Sequence, residues 1–191
     1  MNNKGIDKNS REYLEKKVAG ARHSLLLVLI FTVINLVMLL ADGNSYFLFS
    51  ASVPYYLTAF GMGMDMDAGV SGIGVFTTTA LVISAVILIV YLVCWLLTKK
   101  KPGWYVVAAV LFALDTVVLV LVALGFEMLA DNIMDLVFHA WVIVELFQAV
   151  SANKKLKNLP PEPIVDAAAE TVPVWQPTPV PEEPWTQPDK E

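Results

Sequence analysis

Lysine and arginine are missing from two long stretches of this 191-residue sequence: none occurs between Arg22 and Lys99, and none between Lys101 and Lys154. Only 16% of the residues are charged, while 57% are hydrophobic and the mean hydropathy is +0.61. A soluble domain is about 25% charged and roughly 45–50% apolar, so a soluble fold is excluded for most of the chain. Cysteine is nearly absent as well. The single Cys94 excludes an internal disulfide and any cysteine-cluster metal site. The signatures of a zinc protease, a serine-hydrolase nucleophile turn and a phosphate-binding loop are also absent, so no enzyme class is indicated. A faint Gly69-Val70-Ser71-Gly72 likeness to a nucleophile turn has no histidine paired with it in the sequence. It reads as linker.

What is present is apolar sequence in blocks: Ser24–Ala41 (24–41), Gly74–Leu97 (74–97), Trp104–Phe126 (104–126) and Ile133–Ala152 (133–152). A helix needs about 20 apolar residues to cross a ~30 Å hydrocarbon core at 1.5 Å per residue. Each block approaches or meets that length, and none alternates as a barrel strand must. The expected fold is therefore an all-α membrane protein, a four-transmembrane-helix bundle spanning residues 24–152. A basic cytoplasmic segment (1–23) precedes it, an outer loop (42–73) interrupts it, and a cytoplasmic Pro-rich tail (153–191) follows. Arg11 to Lys17 is expected to be helical and to lie along the membrane surface. A cleaved signal peptide is disfavoured, because a long charged region precedes the first block and no small-x-small site follows it.

The basic residues fix the expected orientation. Six fall between Lys4 and Arg22, three at Lys99–Lys101, three between Lys154 and Lys157, and the last is Lys190. The intervening loops carry Asp42, Asp65, Asp67, Glu127 and Asp131 instead. Positive charge alternates with the spans, so both termini are expected on the cytoplasmic side of the cell membrane. A fifth span at 46–61 would break that alternation. This aromatic stretch, interrupted by Pro54, reads instead as an interfacial or shallow re-entrant element on the outer face, with 61–74 as a flexible connection.

Polar residues inside the blocks are the candidate functional groups. Asp115 lies eleven residues into its span and Asn35 eleven residues into its own, so both should reach similar depth. His139 and Glu145 approach from the other side, and Glu145 should fall within about one turn of that level. A charged carboxylate at the bilayer centre costs about 2.5–3.5 kcal/mol on the insertion scale. The third block, with fourteen Leu, Val and Phe residues, offsets that cost alone; the fourth does not, and should lean on its neighbours. Asn35, Asp115, His139 and Glu145 are expected to hydrogen-bond one another, with the carboxyls partly protonated, so that Asp115→Asn should be tolerated. The competing use is a proton or cation path.

Two further sets stand out. Met62, Met64, Asp65, Met66 and Asp67 interleave soft and hard ligands, and Asp131 and Asp135 share a helical face with His139. This is a candidate metal set that specifies no particular ion, and no cofactor is expected. From Pro160 onward, nine of the last 32 residues are proline and there is too little to bury for folding, so the tail is expected to be disordered. Trp175, Pro177, Pro179, Pro181 and Trp185 form a candidate docking peptide, with polyproline II geometry lowering the entropic cost and the indoles as anchors.

The plan, ending in Lys155-Leu156-Lys157-Asn158-Leu159-Pro160, resembles the small four-span integral membrane proteins of Gram-positive bacteria that have no assigned activity. The resemblance is one of organisation over about residues 10–160. It implies a place in the cell membrane and carries no activity. The leading expectation is a non-enzymatic accessory or scaffold protein recruiting a cytoplasmic partner through its tail. The alternative is a small transporter or channel subunit using its intramembrane carboxylates. Expected partners are the lipid bilayer, a cytoplasmic protein, and a membrane partner or second copy, with no nucleic acid.

Overall fold

A computed structural model describes residues 10–41 and 46–160, and these form five helices and no strand. They are α1 (Arg11–Leu40), α2 (Ser52–Asp67), α3 (Val75–Thr98), α4 (Trp104–Gly125) and α5 (Ile133–Asn158). All but α2 are long and apolar enough to cross a membrane. The tail residues proposed for docking, Trp175 to Trp185, lie outside the described residues.

The expected surface helix at Arg11–Lys17 is corrected. α1 runs unbroken for 30 residues from the Ser10 cap, whose hydroxyl accepts the Tyr13 N–H at 3.3 Å. Nothing between Lys17 and Ser24 interrupts the backbone ladder, so the basic segment continues the apolar helix as an extension of it. α5 does the same at its other end, with 26 residues that run past the apolar block through Lys154, Lys155 and Lys157.

α1 pairs along α5, α5 packs on α4, and α2 lies along α3. The core between the long helices is built from Leu25, Val28, Tyr91, Phe112, Val142 and Leu146. The outward faces stay aliphatic: Val82, Val86, Ile89, Val110, Leu114, Leu121, Val137 and Val144 are all more than half or nearly half exposed. Apolar surface on this scale needs a cover, and hydrocarbon is the solvent that supplies one for helices of this length.

Charge divides the bundle by ends. Arg22 lies over the Trp95 ring at 4.9 Å, Tyr105 donates to the Val18 carbonyl at 3.1 Å, and Lys17 donates to Gln148 at 2.8 Å. These contacts bring the start of α1, the end of α3, the start of α4 and the end of α5 together. Every lysine and arginine among the described residues falls at that basic end. Asp65, Asp67, Glu127, Asp131 and Asp135 lie towards the other, acidic end.

Ahead of α2, residues 46–51 run back along α1, so that Phe47 meets Asn35 and Ala51 donates its N–H to Thr32, eight residues short of the α1 end, at 2.8 Å. From there α2 returns towards the acidic end, antiparallel to α3, with Thr58 beside Ser84 and Asp65 beside Thr77. Residues 61–67, expected as flexible connection, are helical. Pro54, read as an interruption, is the third residue of α2, where a missing N–H costs nothing because no intrahelical partner exists for it.

Candidate functional site

The start of α2 lies among the middle turns of the longer helices, and its backbone donors set the chemistry there. A helix leaves its first four N–H groups without intrahelical partners. For α2 these belong to Ala51, Ser52, Val53 and position 54. Ala51 N–H goes to Thr32 Oγ1 of α1 at 2.8 Å. Ser52 N–H goes to Asp115 Oδ2 at 2.8 Å and Val53 N–H to Asp115 Oδ1 at 2.9 Å. Position 54 is proline and has none. The four positions are fully accounted for, three by side chains from other helices and one by deletion of the donor.

Asp115 thus acts as an N-cap supplied by another helix, placed where the α2 dipole favours negative charge. His139 of α5 completes it, with Nε2 at 3.1 Å from Asp115 Oδ2 and Nδ1 at 2.8 Å from the Asp135 carbonyl. A carbonyl only accepts, so Nδ1 carries a hydrogen. Nε2 also lies 3.4 Å from the Ser52 hydroxyl. Asp115 is 3% exposed and His139 fully buried. The imidazole is stacked on Phe112 at 4.6 Å between centroids and 11° between planes.

Asn35 anchors the segment that leads into α2. Its amide oxygen accepts the Phe47 N–H at 2.8 Å while its nitrogen donates to the Phe47 carbonyl at 2.8 Å and to Ser50 at 2.9 Å. An asparagine pairing both backbone groups of one residue acts as a short piece of sheet edge, and it relieves exposed backbone in an apolar region. Phe49 adopts a left-handed φ of 75° and packs on Phe138 at 4.7 Å and Trp141 at 5.9 Å. The positive φ of a bulky residue stores strain, held here by the paired neighbours on both sides.

Of the four intramembrane candidates, three therefore converge on residues 46–53, and only Asp115 and His139 bond each other directly. Glu145 is not with them. It pairs with Ser24 of α1, two turns further along α5, and the expectation that it joins the same layer is corrected. Buried Phe112 and Val142, with Tyr91 and Val28, fill the interval. An aliphatic groove of about 250 Å³ between α3 and α4, lined by Val86, Val90, Leu111, Leu114 and Val118, ends at Asp115 and Tyr91.

The other end of α2 mirrors the first. Asp65 accepts N–H groups from Gly74 at 3.0 Å, Phe76 at 3.2 Å and Thr77 at 2.8 Å, and the Thr77 hydroxyl at 2.6 Å. It caps α3 from the preceding helix. Burial raises this carboxyl, but the Thr77, Phe76 and Gly74 donors outweigh it and hold Asp65 below its usual range. Its oxygens are thereby spent on a cap. Met64 and Met66 face outwards, Asp131 is exposed, and Asp135 is buried with one oxygen unpartnered. Among the described residues, no group of three or more His, Cys, Asp or Glu side chains is arranged to hold a metal ion. Burial, and then the charge of Asp135, push Tyr56 up to about 12 and Tyr46 further, so both phenols remain hydrogen-bond donors. Tyr56 donates to Asn132 at 2.9 Å.

Thr32, Ser50, Ser52 and Thr77 belong to these networks and were not singled out in the sequence. Ser50-Ala51-Ser52-Val53-Pro54 does carry a signal, since serine shortly before proline marks a helix start. No known family, characterised protein or solved structure matches the chain.

Proposed function

We propose that this protein is a multi-pass cell-membrane accessory or scaffold protein, non-enzymatic, with both termini cytoplasmic and α2 as a re-entrant half-helix entering from the outer face. The observation that carries this reading is the use made of the intramembrane polar groups. Thr32, Asn35 and Asp115 are consumed in satisfying the backbone of Phe47, Ala51, Ser52 and Val53, and His139 is bonded to Asp115. A half-helix in hydrocarbon is tolerated only where its free donors are met inside the protein, and here each one is. A proton or cation path needs polar groups that continue across the bundle. The buried Phe112 and Val142 lie between Asp115 and His139 on one side and Glu145 on the other, which argues for the scaffold reading over the transport one. The basic end of the bundle supports the cytoplasmic placement of the termini.

Recruitment of a cytoplasmic protein then falls to the tail, where Trp175 and Trp185 flank Pro177, Pro179 and Pro181. Two experiments test the division of labour. Purified protein in liposomes should show no proton or monovalent cation flux above empty liposomes; flux abolished by Asp115→Asn or Glu145→Gln would overturn the scaffold reading. A chain truncated after Leu159 should insert and melt like the full-length protein while losing its co-purifying partner. The double variant Trp175→Ala/Trp185→Ala should lose that partner too. A truncated chain that melts markedly lower would show the tail to be part of the fold.

A further inference from the structure

The groove of about 250 Å³ between α3 and α4 lies at the middle of both helices, where residues 86–91 of α3 and 111–118 of α4 line it. It opens towards hydrocarbon, since Val86 and Leu114 at its rim are more than half exposed. Tyr91 and Asp115 are its two polar residues. Asp115 is already engaged by Ser52, Val53 and His139.

Tyr91 is different. It is 4% exposed, with its ring edge-on to Phe112 at 6.4 Å between centroids and 80° between planes. Its hydroxyl has no hydrogen-bond partner among the described residues, yet it is not sealed off, so the little exposure Tyr91 keeps includes this oxygen. A buried phenol usually finds a partner for its O–H, and this one opens onto a groove walled by alkyl groups. An acyl chain filling the groove would leave the hydroxyl unsatisfied, which hydrocarbon penalises. Phospholipid esters and phosphates stay outside the ~30 Å hydrocarbon core, whereas Asp115 lies eleven residues, about 16 Å, from the start of α4. Walls, hydroxyl and depth are met together by an uncharged apolar molecule that carries an acceptor and moves freely within the bilayer. The volume is a little under the ~300 Å³ at which small-molecule pockets begin, room for a ring headgroup whose tail stays among the lipids.

We propose that this groove binds the ring of an isoprenoid quinone, with one ring carbonyl accepting from the Tyr91 hydroxyl and the tail leaving past Val86 and Leu114 into the bilayer. The proposal rests on the four-span reading and adds to it a site for a lipid-soluble ligand.

The test uses the full chain reconstituted in phosphatidylcholine vesicles with a photoreactive azido-benzoquinone bearing a decyl tail, the labelled peptides being identified by mass spectrometry. Wild type should be labelled on α3 and α4 around the groove. Excess decylbenzoquinone should compete, and decylbenzene, which has the same tail and no carbonyl, should not. One hydrogen bond contributes about a factor of five in affinity, so Tyr91→Phe should lower labelling at sub-saturating probe about fivefold. That variant should melt as wild type does, because the hydroxyl it removes has no partner within the chain. A markedly lower melting temperature would show the hydroxyl already engaged and overturn the proposal. Leu114→Trp adds bulk at the rim and should abolish labelling, whereas Leu121→Trp, equally exposed on α4 but outside the groove, should leave it unchanged. Undiminished labelling in Tyr91→Phe and Leu114→Trp would overturn the site. Equal competition by decylbenzene would overturn the quinone in favour of an acyl chain. Failure of the wild-type chain to enter vesicles would overturn the four-span reading and the groove with it. Entry without competed labelling overturns the groove alone.

Discussion

Asp115→Leu is expected to destabilise the folded bundle by about 3–5 kcal/mol, the cost of removing one member of a buried, hydrogen-bonded pair. Leucine leaves the Ser52 and Val53 N–H groups without acceptors and His139 Nε2 facing an alkyl chain. Asp115→Asn should cost about 1–3 kcal/mol, because only one of its two terminal atoms accepts. The NH₂ group necessarily points at an N–H donor of α2, at Ser52 or at Val53. That result would reverse the expectation from sequence, which treated the carboxyl as protonated and an amide as its equal. Glu145→Gln, away from α2 and bonded to Ser24, should cost less than either. Unfolding of the full chain in detergent with increasing denaturant gives the ranking Leu, then Asn, then Glu145→Gln. Near-wild-type stability of both Asp115 variants would mean that this carboxylate does not hold the start of α2.

The second large effect concerns the seam between α2 and α3. A Cβ at Gly61 would stand 2.9 Å from the Phe76 carbonyl oxygen and 3.0 Å from Ala80 Cβ. The oxygen belongs to a helix backbone and cannot swing aside. Small residues let helix backbones approach this closely within membranes, so Gly61→Ala should cost about 1–3 kcal/mol through overpacking. Gly63 is two residues along the same helix and has nothing within 4 Å of its would-be Cβ. There alanine gains the helix-propensity difference, up to about 1 kcal/mol, and Gly63→Ala should be neutral or stabilising. The two variants share chemistry, helix and neighbourhood, so their difference reads the close approach itself. Equal stabilities would show that α2 does not lie on α3 as described.

The four long helices were legible because insertion depends on composition over a window, which the sequence displays directly. Depth was legible too. Counting from Trp104 put Asp115 in the middle of its helix, and it is there that α2 begins. What the sequence did not carry was the identity of its partners. The groups that Asp115 satisfies are backbone N–H groups, and these have no side-chain signature. Asp65 escaped for a related reason: it caps α3 from the end of α2, so the short-range Ser/Thr/Asp pattern of a helix start is absent before Val75. Pro54 was taken as a break because proline is disruptive within a helix and harmless in its first turn, and without the Ala51 position the two cases look alike. Glu145 was grouped by depth with Asp115 and Asn35, although it lies six residues, about 9 Å, along α5 from the His139 that bonds Asp115.

The central claim is that residues 42–74 enter and leave the membrane on one face, with α2 as a half-helix between four complete spans. Its most direct test is thiol accessibility in intact cells. Single cysteines at Ala41, Val70, Ala130 and Lys100 in a Cys94→Ala background are exposed to an impermeant thiol reagent. The account predicts labelling at Ala41, Val70 and Ala130, and none at Lys100 until the membrane is permeabilised. Labelling at Ala41 with Val70 protected would mean that α2 crosses the membrane completely, and labelling at Lys100 in sealed cells would contradict the four-span arrangement.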